Sequence, residues 1–143
     1  MDAPYDEDET IYLEVEHVLG LYADLVGCTD QEAADQLRSR YGLESALDRP
    51  RTYAYYQNAD LAFQAAVLAH GIAEGQYFIE GNKRVALEAM RTFLLINGYT
   101  ITAPQVDRAA WILDLSAGGT AEELAERIRS TLIRVSGSGD QSR

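Results

Sequence analysis

The sequence predicts an all-α fold, a single compact bundle of about six or seven helices with a polar loop set between two core helices. Three observations predict it. Apolar residues recur at intervals of three and four along most of the chain, the spacing that lines one helix face. Capping pairs stand ahead of such runs, Thr29 with Glu32 and Thr120 with Glu123; in each, hydroxyl and carboxylate satisfy N–H groups left free at a helix start. Alternation of period two, the mark of a half-buried strand, is nearly absent.

The elements follow in order. Leu13 to Val26 carries Val15, Val18, Leu19, Tyr22 and Leu25 on one face, and Gly27 ends it. Thr29 and Glu32 open a short helix reaching Leu37. Another short helix is expected from Gly42 to Leu47, stopped before Pro50 because proline disfavours helical backbone in the preceding residue. The tyrosine-rich stretch from Thr52 to Asn58 reads as a loop. Asn58 or Asp60 then caps a helix rich in alanine, from Leu61 to Gly75, whose small residues mark a central, closely packed element. Asn82 is expected to cap the next helix, which runs to Asn97 with Gly98 as its stop. Gln105–Ala117 and Ala121–Ile133 complete the set. Ile11–Leu13 and Tyr99–Thr102 are the two segments with any strand character.

Domain organisation is read as a flexible acidic segment over 1–10, one folded domain over 11–134 and a flexible polar tail over 135–143. Of the 143 residues 47% are apolar and 24% charged, the composition of an ordinary globular protein. No apolar run approaches the roughly 20 residues that span a bilayer. The acidic opening is unlike the basic start of a signal peptide, so a cytoplasmic location and no membrane partner are expected. Cys28 is the one cysteine, which rules out an internal disulfide. The formal net charge of −11 opposes binding to a phosphate backbone, and no nucleic-acid partner is expected. A small anion held in one local pocket is compatible with that charge.

One segment carries chemistry. Residues 76 to 84 read Gln-Tyr-Phe-Ile-Glu-Gly-Asn-Lys-Arg, a turn leading into a helix. Gly81 permits a backbone conformation closed to other residues. Lys83 and Arg84 fall in the first helical turn, where the positive end of the helix dipole opposes cations. A bound anion removes that conflict, and free N–H groups, a glycine and two cations together form a phosphate cradle. Glu80 is placed to hold a Mg²⁺ that bridges phosphates. The same residues also fit a solvated surface turn in which Glu80 pairs with one of the cations.

The segment resembles the loop of the Fic/Doc family, H-x-F-x-(D/E)-(G/A)-N-(K/G)-R, which lies between two core helices. Phe78, Glu80, Gly81, Asn82, Lys83 and Arg84 fit it in register. Gly42-Leu-Glu-Ser-Ala-Leu-Asp-Arg-Pro50 resembles a segment common in Doc-like proteins, and Phe93-Leu-Leu-Ile-Asn-Gly-Tyr99 resembles the end of the helix after the loop. Lys83 points to the Doc branch, since AMP-transferring Fic proteins usually have glycine there. They also tend to carry a second arginine where this chain has Leu87.

The resemblance implies a Doc-type (death-on-curing) toxin of a toxin–antitoxin system. Such toxins act as ATP-dependent kinases on a threonine of elongation factor Tu, and an antitoxin helix lying in a groove blocks them. ATP and Mg²⁺ are the implied cofactors. By the same resemblance Glu80 is the metal ligand, and Gly81, Asn82, Lys83 and Arg84 bind phosphate, with Lys83 near the chemistry. Phe78 anchors the loop in the core.

The family histidine, which takes the proton of the attacking hydroxyl, is here Gln76. An amide cannot accept that proton near neutral pH, and losing a general base costs about 10²–10⁴ in rate. His70, six positions earlier and about 9 Å along a helix axis, is read as a near-core residue. His17 has no evident role, and Tyr77 is a poor base because its phenol stays protonated. Transfer activity is therefore expected to be lost or strongly reduced. The alternative is a catalytically inactive binding module that engages a protein helix, with Tyr53, Tyr55 and Tyr56 among its contacts. Transfer from another donor, such as a phosphocholine compound or a different nucleotide, is a third reading.

Overall fold

A computed structural model describes residues 10–135; the expectations for the acidic head and polar tail fall almost wholly outside that range. Among the described residues the order is α1 (Val15–Val26), α2 (Asp30–Asp35), α3 (Arg40–Gln57), α4 (Leu61–Gly75), α5 (Asn82–Ile96), β1 (Tyr99–Ile101), α6 (Gln105–Ser116), α7 (Ala121–Thr131) and β2 (Leu132–Arg134). The all-α bundle of seven helices is as the sequence predicts.

Helix α4 is the axis of the bundle. Eleven of its residues are buried, among them Ala62, Ala65, Ala66, Leu68, Ala69 and Ile72. Small side chains let α3, α5 and α7 approach it closely, and these are the helices it packs against most. At Gly71 an added Cβ would lie 3.2 Å from the Cβ of Ala46 on α3, so the two helices nearly touch there. Among the described residues the one fully buried polar side chain, Gln64, is satisfied. It accepts from the Tyr12 hydroxyl at 2.8 Å and donates to the Ala59 carbonyl at 3.1 Å.

Three expectations are corrected. Residues 52–57 are helical, and α3 continues through Pro50. Proline removes one backbone hydrogen bond, but Leu43, Ala46, Leu47, Pro50 and Ala54 form one buried face, and Tyr53 packs edge-on against Phe63 of α4 at 5.3 Å. Burial on both sides of the proline outweighs the local cost. Asn58 is accordingly the C-cap of α3, at φ 53°, while Asp60 alone caps α4 through the Phe63 N–H at 2.9 Å. Second, Tyr99–Ile101 pairs antiparallel with Leu132–Arg134, with Thr100 opposite Ile133, so α7 stops at Thr131. The Ile11 segment is instead held by the Asn97 side chain, which accepts from Ile11 N–H at 2.8 Å and donates to Ile11 C=O at 2.9 Å. The third concerns Asn82 and belongs with the loop.

Both capping boxes form. Thr29 and Glu32 cap α2, and Thr120 and Glu123 cap α7, each hydroxyl accepting an N–H at 3.1 Å. His17, without a role in the sequence, accepts the Glu14 N–H on Nδ1 at 2.9 Å and so helps start α1.

Candidate functional site

The site is the connection from α4 to α5. Gly75 is the last helical residue, and the left-handed stop falls on Gln76, at φ 52° and ψ 51°. A residue with a Cβ is uncommon there. The Gln76 side chain is exposed.

Phe78 is fully buried and stacks on Tyr22 of α1, ring centroids 4.2 Å apart and planes 5° from parallel. The Asn82 side chain clasps the backbone on either side of that anchor: its Oδ1 accepts the Phe78 N–H at 3.0 Å and its Nδ2 donates to the Phe78 carbonyl at 2.9 Å. Asn82 is therefore the first residue of α5 and closes the loop, while Gly81, at φ 83°, occupies the cap position. The expectation of Asn82 as cap is corrected because its amide is spent on Phe78. The loop is also held from outside. Leu37 and Phe78 form an isolated antiparallel bridge, and the Ile79 N–H donates to the Gln36 carbonyl at 3.0 Å.

Tyr22 supports the loop twice more. Its hydroxyl donates to the Glu80 carbonyl at 3.1 Å, and its ring lies 3.4 Å from where a Cβ on Gly81 would stand. Burial, then the nearby Glu80 carboxylate, holds the Tyr22 phenol above its ordinary pKa, so it remains a donor. Sequence reading counted Tyr22 only as an apolar face residue. A tyrosine in a stripe of aliphatic residues was the one available signal.

Glu80, Lys83 and Arg84 are exposed. The Glu80 carboxylate and the Lys83 ammonium have no hydrogen bond or ion pair among the described residues, so the expected alternative of a Glu80 pair with a neighbouring cation does not form. Arg84 Nη2 donates to the Leu25 carbonyl at 3.0 Å, at the carboxyl end of α1, where the helix dipole favours a cation. The N–H groups of Asn82, Lys83 and Arg84 have no partner within α5, as in any first helical turn.

Beside the loop lies an open cleft of about 770 Å³. Tyr22, Leu25 and Cys28 form its apolar part, while Glu32, Asp35, Glu80 and Arg84 supply its charges, with Gly81 at the edge. Thus Glu80, Gly81 and Arg84 share one cleft, whereas Gln76, Asn82 and Lys83 are not part of its lining. No histidine lines it, and His70 sits half-buried on α4 with Nε2 3.7 Å from Glu74 Oε1. The Cys28 thiol is pushed up by burial and by the carboxylates of Glu32 and Asp30, the direction opposite to that of an activated thiolate.

The residues fit a nucleotide better than a resident metal. Among the described residues no cluster of three or more His, Cys, Asp or Glu side chains is placed to hold an ion. Mg²⁺, however, is commonly bound by one or two carboxylates together with substrate phosphates, and the free Glu80 carboxylate suits that use. A left-handed glycine, free N–H groups and two exposed cations suit the phosphates.

A helical bundle with this loop between its two central helices defines the Fic/DOC class. The family model for Fic/DOC proteins matches residues 12–94, and the chain belongs to that family. It is similar to Toxin Doc of Mycolicibacterium smegmatis, with 41% identity over 73 residues. That match covers 48% of this chain and 56% of the relative, so the chain spans about half the length of the curated relative.

Proposed function

We propose that this protein is a Doc-like toxin whose folded unit spans residues 11–134. Its loop binds Mg-ATP, and its phosphoryl transfer to a protein hydroxyl is crippled by Gln76. Glu80 holds the metal, Gly81 and Asn82 present backbone N–H groups to the phosphates, and Lys83 and Arg84 supply positive charge. The acceptor is a threonine of a translation factor, elongation factor Tu by family resemblance, and a separate antitoxin chain laying a helix in the groove is the regulator. The observation that carries the reading is the state of the loop. Phe78, Asn82 and Tyr22 hold it rigidly in place, while Glu80 and Lys83 are left without partners. Arg84 reaches phosphate by exchanging the Leu25 carbonyl for a charged acceptor, and charge-assisted bonds are about twice as strong as neutral ones.

Such transfer depends mainly on positioning and charge stabilisation, so nucleotide binding survives loss of the base. Calorimetric titration with Mg-ATP tests this. Binding in the micromolar to millimolar range, weakened about tenfold by Arg84→Ala, supports the reading. The tenfold change corresponds to about 1.4 kcal/mol, near the low end for a hydrogen bond to a charged group. No binding at millimolar nucleotide would sink it.

The exposed tyrosines favour a second reading. Tyr41, Tyr55 and Tyr56 are 82%, 74% and 74% exposed, and tyrosine is enriched in protein interfaces. In this reading the fold is a catalytically inactive module whose task is to hold a protein partner, an antitoxin-like helix. Co-expression with its own partner, followed by protection of α3 amides from exchange, supports it; an unprotected α3 in the complex would count against it.

A further inference from the structure

Tyr77 takes no part in the cradle or the cleft, yet two helices are shaped around it. A Cβ placed on Gly75, at the end of α4, would collide with the Tyr77 ring. A Cβ on Gly42, in the first turn of α3, would collide with the same ring and lie 2.9 Å from Ser39 Oγ. Neither glycine has a positive φ, so the backbone conformation does not require them. Glycine within a helix costs about 0.5–1 kcal/mol relative to alanine. The return for both is the slot in which the ring sits.

The ring, not the hydroxyl, is what the slot holds, because the Tyr77 O–H has no hydrogen-bond partner among the described residues. The backbone is fixed on either side of the ring. Gln76 takes its left-handed turn immediately before the ring. Immediately after it, the Tyr77 carbonyl accepts the Arg38 N–H, and the Leu37–Phe78 bridge begins. The wedge thus joins the start of α3, the end of α4 and the strand-like passage through 36–38.

We infer that Tyr77 is a positioning residue, whose ring, seated between Gly42 and Gly75, fixes where the 76–84 loop leaves α4 and so sets the cradle for a nucleotide's phosphates. This inference rests on the nucleotide reading above. Tyr77 acts through Gln76 and Phe78 and touches no phosphate itself.

Four variants of the full chain test it: Tyr77→Phe, Tyr77→Leu, Gly75→Ala and the double variant Gly75→Ala/Tyr77→Leu. Amide exchange at Arg38 and Ile79 reports the loop, exchange in α5 and α7 reports the global fold, and calorimetry reports Mg-ATP affinity. Tyr77→Phe is expected to match the parent in all three. Tyr77→Leu and Gly75→Ala are each expected to speed exchange at Arg38 and Ile79 and weaken Mg-ATP binding, both by about tenfold, with the α5 and α7 amides little changed. In the Tyr77→Leu background Gly75→Ala should add nothing, as for two changes acting on one contact. Unchanged loop exchange, simple additivity, or faster loop exchange with unaltered affinity overturns the inference. A parent protein that binds no Mg-ATP overturns the nucleotide reading instead, and the exchange arm then still decides whether Tyr77 holds the loop.

Discussion

At the scale of single residues, Gln76 has two consequences that separate cleanly. In the proposed reading its amide stands where the general base would be, and its backbone occupies a left-handed position that costs an L-residue roughly 1 kcal/mol or more. Gln76→Gly relieves the second without touching the first. It is expected to raise stability in urea unfolding by about 0.5–1 kcal/mol, with Mg-ATP affinity unchanged; a loss of stability would show that the turn is not strained. Little of this was legible in advance. Phe78 to Arg84 could be read in register because the motif is local, and its glycine, amide and cations each have a chemical reason to be there. The left-handed turn at Gln76 is not legible in the sequence, because such stops usually fall on glycine. The Tyr22–Phe78 stack joins residues far apart in the chain, and no periodicity announces such a contact.

At the scale of elements, capping decides more than propensity. Asp60 caps α4 and also receives two bonds from Arg129 of α7, at 2.8 and 3.0 Å. The Arg129 hydrogen bond first, helped by the Phe63 N–H, holds the Asp60 carboxyl below its ordinary pKa. A depressed carboxyl stabilises the fold at pH values above its unfolded pKa, about 3.9, and that contribution fades as the pH falls through the lower folded value. Asp60→Ala should therefore cost about 1 kcal/mol at pH 7, the usual worth of such a cap. Thermal melts should show the gap between variant and parent narrowing below pH 4; a gap that stays constant to pH 2 would contradict the linkage. The caps at Thr29 and Thr120 are readable because each pairs residues three apart, whereas the α4 cap stays open in the sequence between Asn58 and Asp60 and the structure gives it to Asp60. The continuation of α3 through Pro50 was not, since the local rule for proline is outweighed by a buried face that only the tertiary structure reveals. The pairing of β1 with β2 was hidden for the same reason, its two strands being separated by α6 and α7.

The whole molecule sets the anion-binding cradle against its own negative charge. A net charge of −11 surrounds a cleft in which Glu32, Asp35 and Glu80 face one arginine. Free ATP is repelled by such a field; in the proposed reading Mg²⁺ would neutralise part of the phosphate charge and would give Glu80 a partner. Chelation of Mg²⁺ is thus expected to weaken ATP binding by at least about tenfold, and Glu80→Gln to weaken Mg-ATP binding in the same direction. Equal affinity with and without Mg²⁺ would remove Glu80 from the site. No helix among the described residues is long and apolar enough to cross a membrane. The central placement of α4 gives the loop a rigid base: it leaves the end of a helix almost wholly enclosed by its neighbours, and Phe78 returns it to the same core.

The central claim is that the scaffold is a phosphotransferase of the Doc kind lacking only its base. The most direct test is transfer of radiolabelled phosphate from ATP to purified elongation factor Tu, comparing the protein with its Gln76→His variant. The account predicts that both bind Mg-ATP with similar affinity and that the histidine raises the transfer rate by about 10²–10⁴. A histidine variant that binds nucleotide normally and transfers no faster than the parent would contradict it.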